Sequence, residues 1–247
     1  MKLFIHHCRL FAVLFAILLT LSLQAGNDIV LKKDKTSKLV ISEGSYQHLK
    51  LENTLSALQY FDVKTTKGEF AKLQAGEYAG SDIYGSPQLP VLRKLFEIPV
   101  SAKPIVKVIS YTVMEYKLSD FGINLPLFPA QPPVSKSQSN PEFVYNAKAY
   151  QQNSFTGNDL ATVDELGILR GTRLGRLNIS PVQYNPVTNS IRIYDNLVID
   201  INFTGADVSR TKAEKRRYDS PYFRTVYDRL INYKQTDNLL DKITKYP

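Results

Sequence analysis

Leu177-Asn-Ile-Ser-Pro-Val-Gln-Tyr184, Asn185-Pro-Val-Thr-Asn189 and Ser190-Ile-Arg-Ile-Tyr194 are three consecutive pieces of one stretch. The outer pieces carry β-branched and aromatic residues, and the middle piece holds turn formers, so the stretch reads as two strands about a short turn. Asn196 to Phe203 follows as a further strand, with Val198, Ile199, Ile201 and Phe203 available for burial. Upstream, Lys38-Leu-Val-Ile-Ser42, Leu58-Gln-Tyr-Phe-Asp-Val-Lys64 and Val91-Leu-Arg-Lys-Leu-Phe-Glu-Ile98 share that composition and partial alternation, and Ile105 to Lys117 continues it. Gly85-Ser-Pro-Gln-Leu-Pro90 reads as a turn or extended entry, because each proline removes a donor and restricts its predecessor. The expectation is a mainly β fold of many short strands.

The ends and the composition bound what such a fold does. At 43% hydrophobic and 22% charged, the 247 residues are neither collagen-like, coiled-coil nor wholly disordered. Lys2 and Arg9 precede an apolar run from Leu10 to Leu23 that ends in Ser22-Leu-Gln-Ala-Gly26, the layout of a secretory signal cut after Ala25. At about 14 residues the run is short for the roughly 20 of a spanning helix, so no stable membrane anchor is expected and the chain is expected in the periplasm or outside the cell. Cys8 precedes the run, where it does not serve as a lipoprotein cysteine, and it leaves with the signal. So do His6 and His7.

The expected mature chain therefore has no cysteine and one histidine, His48, on the alternating segment Tyr46-Gln-His-Leu-Lys-Leu51. A cysteine nucleophile and a thiolate metal site are excluded, and His48 reads as a half-exposed strand residue. Phosphate-loop, dinucleotide and H-E-x-x-H motifs are absent, and no pair among the 23 acids is singled out for glycoside chemistry. The chain is read as no enzyme, with no cofactor and no metal.

Removing Lys2 and Arg9 leaves 29 Lys and Arg against 23 Asp and Glu, a net +6. Much of the excess lies in Arg210-Thr-Lys-Ala-Glu-Lys-Arg-Arg217, with five basic residues in eight. No aromatic residue is interleaved, so the stacking of single-strand binders is missing and no nucleic acid partner is expected. The run reads as a solvated, protease-sensitive linker.

Two stretches break the β pattern. Pro126-Leu-Phe-Pro-Ala-Gln-Pro-Pro-Val-Ser-Lys-Ser-Gln-Ser-Asn-Pro141 holds five prolines and reads as a long extended loop, of a length usually functional or disordered. In Ser220-Pro-Tyr-Phe-Arg-Thr-Val-Tyr-Asp-Arg-Leu-Ile-Asn-Tyr233, Ser220 caps, Pro221 fits the first turn, and Phe223, Val226, Tyr227, Leu230 and Ile231 recur at helical spacing.

Gly85 to Val100, Glu142-Phe-Val-Tyr-Asn146, Ile179 to Thr188, Ile191-Arg-Ile-Tyr194 and Ser220-Pro-Tyr-Phe223, in this order, resemble the N-terminal propeptide of the gingipain family of secreted Arg- or Lys-specific cysteine proteases. The likeness is greatest to the Lys-specific type and runs from about Ser56 to Tyr233. It implies an antiparallel β-sandwich-like prodomain with a short C-terminal helix, which inhibits and helps fold a caspase-like catalytic domain, in cis or in trans. It also implies a basic side chain presented to the protease's specificity pocket just before the Phe-Val-Tyr segment. Lys136, between Ser135 and Ser137, holds that place. Lys234, where the family's propeptides end, is the first candidate processing site, and Arg216 and Arg217 are the second.

The organisation expected is a signal at 1–25, an N-terminal extension with first strands at 26–55, a β-rich propeptide domain at 56–209, a basic linker at 210–217, a helix at 218–234 and a linker at 235–247 toward an absent catalytic domain. The alternative reading is a cell-envelope binding or adhesion module without a protease partner. Indifference to Lys136 would mark it.

Overall fold

The computed structural model describes residues 27–32, 36–136 and 141–233. The strands are β1 (Asn27–Val30), β2 (Lys38–Gly44), β3 (His48–Thr54), β4 (Ala57–Thr65), β5 (Gly68–Gln74) and the two-residue β6 (Ala79–Gly80). They continue as β7 (Pro90–Ile98), β8 (Lys103–Lys117), β9 (Ala161–Leu169), β10 (Thr172–Ile179), β11 (Val182–Asn185) and β12 (Ser190–Thr204). The helices are short: α1 (Ala147–Tyr150), α2 (Val208–Tyr218) and α3 (Arg224–Tyr227). The fold is mainly β, as its composition predicts, and each strand pairing between these elements is antiparallel.

The strands make three sheets. The largest is built on β12, whose 15 residues pair along one edge with β11 and then β3, and along the other with β8. Alternation along β12 buries Ile191 and Ile193 in one core and Leu197, Ile199, Ile201 and Phe203 in a second. The first core is closed by the β1-β4-β5 sheet through Ile29, Leu58 and Leu73, the second by the β6-β7-β10-β9 sheet through Phe96, Ile98, Leu177 and Ile179. The result is a sandwich whose second layer is split in two. Residues 27–55 are built into these sheets, since β1 pairs with β4 and β3 lies between β2 and β12. They are not an extension to the domain.

The hairpin predicted over residues 185–190 forms, with Asn185 opposite Ser190. Asn185 Oδ1 accepts from the Val187 and Thr188 amides at 3.1 and 3.3 Å, and Asn189 takes a left-handed φ of 47°. The incoming strand differs from expectation. It breaks at Ser180-Pro181, with β10 in one sheet and β11 in another, because Pro181 has no amide to continue a ladder and its carbonyl accepts from Tyr194 at 2.8 Å.

The basic run 210–217 is not a solvated linker. It lies inside α2, which Asp207 caps by accepting from the Arg210 amide at 2.8 Å. Thr211 and Lys215, four residues apart, turn inward, and the Thr211 hydroxyl accepts from the Val100 amide at 2.9 Å. Lys215 is buried against Glu97 of β7, Nζ to Oε2 2.5 Å, with side chains 3% and 2% exposed.

The helix expected over 218–234 is also shorter. A 3-10 turn over Pro221–Phe223 leads into the single turn α3, and the chain then leaves the helix for the edge of β7. Ile231 donates its amide to the Leu95 carbonyl at 2.9 Å, while the Asn232 side chain accepts from the Glu97 amide at 2.8 Å and donates to its carbonyl at 3.0 Å. These bonds replace the intrahelical ladder, and they satisfy the buried Glu97 backbone on an otherwise open sheet edge.

Candidate functional site: an anchored proline-rich loop

The proline-rich stretch is irregular in form but not loosely held. Residues 126–131 lie extended between β5 and the 85–88 segment. The Ala71 amide donates to the Pro126 carbonyl at 2.9 Å, and the Phe128 amide to the Ala71 carbonyl at 2.7 Å. On the other side the Gln88 amide donates to the Phe128 carbonyl, and the Ala130 amide to the Ser86 carbonyl, both at 2.8 Å. Pro126 and Pro129 occupy positions from which no amide is required, so the prolines stiffen the segment without breaking its ladder.

Both stems of the loop converge on common anchors. Gln131 brackets the base: its Nε2 donates to the Val144 carbonyl at 2.8 Å, and its Oε1 accepts from the Val144 amide at 2.9 Å. Gly85 joins the stems from below, donating its amide to the Ala130 carbonyl at 2.8 Å and accepting from the Asn146 amide at 3.0 Å. Its φ is +81°, and a Cβ there would meet the Asn146 nitrogen at 3.0 Å and Val144 Cγ1 at 3.2 Å, so both the conformation and the close approach call for glycine.

An aromatic floor completes the base. The buried Phe70 ring lies 6.1 Å from Phe128 on the incoming stem and 5.9 and 6.3 Å from Phe143 and Tyr145 on the outgoing one. Tyr145 stacks on Tyr150 at 4.6 Å, and the Tyr150 hydroxyl donates to the Leu127 carbonyl at 2.6 Å. Burial pushes the Tyr150 phenol far above its ordinary range, with Tyr145 and Tyr184 adding to the shift, so it remains a neutral donor. Asn146 caps α1, which starts the chain away from the loop.

Beyond the Gln131 bracket, Pro133, Val134, Ser135 and Lys136 are exposed, as are Pro141 and Glu142 where the description resumes. Lys136 thus stands at a solvent-facing turn on a loop whose two ends are fixed. Ser137, Lys234 and Ala25 lie outside the described residues. Arg216 and Arg217 are exposed on the last turn of α2, remote in sequence from the loop and held by the helix. His48 occupies the strand position predicted for it, at the start of β3, where its Nε2 bonds the Asp200 carboxylate and its Nδ1 lies 3.8 Å from Glu43. The nearby Ser45 hydroxyl accepts from the His48 amide at 3.0 Å, and among the described residues no cluster of three metal-ligating side chains occurs.

Gln131 and Gly85 escape sequence reasoning because their partners lie 13 residues away for one and 45 and 61 for the other. The usable signal was the glycine of Gly85-Ser-Pro, which marks a turn but not what it pins.

The family model Propeptide_C25 matches residues 34–227. Lys-gingipain of Porphyromonas gingivalis is 36% identical over 231 residues, which is 91% of this chain and 13% of that protein. Gingipain R2 of the same species is 27% identical over 191 residues, 76% of this chain and 25% of that protein. The chain is thus similar to a small part of much longer relatives. A solved structure concerned with the zymogenic latency of gingipain K from Porphyromonas gingivalis superposes with a TM-score of 0.69 at 34% identity, covering 74% of this chain and all of that one. The complex of the pro- and mature domains of RgpB from that species gives 0.62 at 24% identity, covering 81% and 100%, and supports the fold alone.

Proposed function

Since the chain belongs to the Propeptide_C25 family, we propose that it is the inhibitory and folding-assisting propeptide of a secreted gingipain-like cysteine endopeptidase, which it blocks by placing Lys136 in the specificity pocket. The observation that carries this reading is the double anchoring of the loop at Gln131 and Gly85, with Lys136 exposed at its turn. A loop fixed at both stems loses little conformational freedom on docking, which is the condition for tight binding by a few residues. The ammonium supplies a charge-assisted bond to an acidic pocket once water is excluded. A lysine there favours a Lys-specific partner, because a guanidinium does not fit a pocket shaped for an ammonium. Export by a signal cut after Ala25 belongs to the same reading. So does release by cleavage at Lys234, with Arg216 and Arg217 as the second site, and the buried Lys215 makes that second site a poor substrate until α2 opens.

The test is the inhibition constant of wild type, Lys136→Ala and Lys136→Arg against Lys- and Arg-specific cysteine proteases. Removing the ammonium and leaving an unpaired pocket acid costs about 2–5 kcal/mol of binding. At about 1.4 kcal/mol per decade this weakens inhibition roughly thirtyfold or more. Thermal melts should be unchanged, since exposed substitutions fall within about 0.5 kcal/mol. Equal inhibition by all three proteins removes Lys136 from the mechanism.

A further inference from the structure

The chain after α3 is fastened to one acid. Glu97 is buried on β7, and the tail and α2 both meet it. The Asn232 side chain, itself 1% exposed, bonds both the amide and the carbonyl of Glu97. The Glu97 carboxylate pairs with Lys215 of α2. The Lys215 ammonium also lies 4.2 Å from the centre of the Tyr233 ring, which stacks on Tyr227 of α3 at 5.1 Å. The tail therefore touches both members of the ion pair, Asn232 holding the backbone of Glu97 and Tyr233 facing Lys215.

Both candidate processing sites adjoin this cluster. Arg216 and Arg217 directly follow Lys215, and Lys234 directly follows Tyr233. To be cut, a chain is drawn into a protease as an extended strand with its backbone groups available for bonding. Ahead of Lys234 the Ile231 amide is committed to the Leu95 carbonyl, and ahead of Arg216 the chain is helical. The exposed side chains of Arg216 and Arg217 do not make them substrates while that helix persists.

We propose that the Glu97 cluster is one lock on both sites, so that residues 231–233 and the last turn of α2 open together. This rests on the reading of Lys234, Arg216 and Arg217 as processing sites. The coupling follows from the burial of the charges. With Asn232 and Tyr233 withdrawn, the Glu97 amide and carbonyl lose their side-chain partner, and the ion pair loses the ring that covers it. With α2 withdrawn, the tail closes over a carboxylate that has lost its cation. Each half-open state strands a buried polar group, so the closed and the fully open arrangements are the two that persist. The chain is thereby resistant at both sites or open to cutting at both.

The test is digestion of the chain from Gly26, which contains every described element, by a Lys-specific and an Arg-specific endopeptidase unrelated to the proposed partner. Fragments are timed by mass spectrometry. Asn232→Ala should be cut after Lys234 and after Arg216 and Arg217 about tenfold faster than wild type or more, since two bonds to a buried backbone are lost. Rates after Lys234 are divided by those of the free peptide of residues 228–240 carrying the same substitution. The sequence around Arg216 is unaltered, so acceleration there reports opening alone. Tyr233→Leu, which removes the ring but keeps apolar bulk, should act in the same way at both sites. Tyr222→Ala, nearby in sequence but 90% exposed, should change neither. Cuts after Arg176 and Arg192, inside β10 and β12, report global unfolding and should stay at the wild-type rate. Acceleration after Lys234 with α2 uncut, or wild-type rates at both sites in both variants, overturns the proposal. So does loss of protection at Arg176 and Arg192 in both variants, because the cluster would then hold the whole fold and not these two sites. Neither protease is the proposed partner, so the result stands whether or not Lys136 inhibits.

Discussion

Gly85 carries more of the candidate site than its size suggests, because one residue bonds both stems of the Lys136 loop in a left-handed conformation. Gly85→Ala should destabilise by about 1–2 kcal/mol from the conformation alone, with the contact to Asn146 adding to it. Inhibition should weaken with Lys136 itself intact, and the paired measurement is thermal melting and the inhibition constant on the same protein. Tyr184 makes a second prediction. Burial raises its phenol to about 12 from 10.0, and its hydroxyl donates to Asn189 Oδ1 at 2.7 Å. Because the folded pKa is the higher one, this contribution to stability is complete below pH 10 and is lost as pH rises toward about 12. Tyr78, raised to about 12 by burial, acts in the same direction. Melts from pH 9 upward should therefore fall steeply, and Tyr184→Phe should shallow that fall while costing about 1 kcal/mol at neutral pH for the lost hydrogen bond. An unchanged alkaline profile would contradict this assignment. The role proposed for Lys136 rests on the family resemblance; by type and setting it is an ordinary loop lysine.

Among the elements, α2 is the one whose character the sequence concealed. Five basic residues in eight look solvated, yet Lys215 is buried because Glu97, 118 positions earlier, meets it. Nothing local to the run reports that partner. Lys215→Met should cost about 3–5 kcal/mol by stranding a buried carboxylate, whereas Lys215→Met with Glu97→Leu should recover most of the loss, since two apolar residues leave no charge unpaired. Urea denaturation of both proteins decides it, and equal destabilisation would mean that packing, not the charge pair, holds the helix. Limited digestion after Arg216 and Arg217 should be slow in the wild type and fast in Lys215→Met. The strands, by contrast, were legible wherever alternation and β-branching coincided, as in β2, β4, β7, β8 and β12. β5, β9 and the break at Ser180-Pro181 were not, because their Gly, Glu and Pro content is set by neighbouring sheets and not by local preference.

On the scale of the whole molecule, β12 joins the two cores, and β3 reaches it across about 150 residues of intervening chain. Fold class follows from composition and pattern, but this long-range topology does not, since no local signal says which early strand a late one will meet. Truncation before Ser190 should leave a chain without cooperative unfolding, although most of the strands would still be present, and calorimetry checks this. The order of events along the chain follows from that geometry. Until the ribosome or an export channel has released residue 204, β2 and β3 have no sheet to join, and loop-closure entropy opposes any earlier collapse into the native arrangement. The two smaller sheets can pair within themselves before then, but each core stays open on one side, and the step that closes both is the arrival of a single strand.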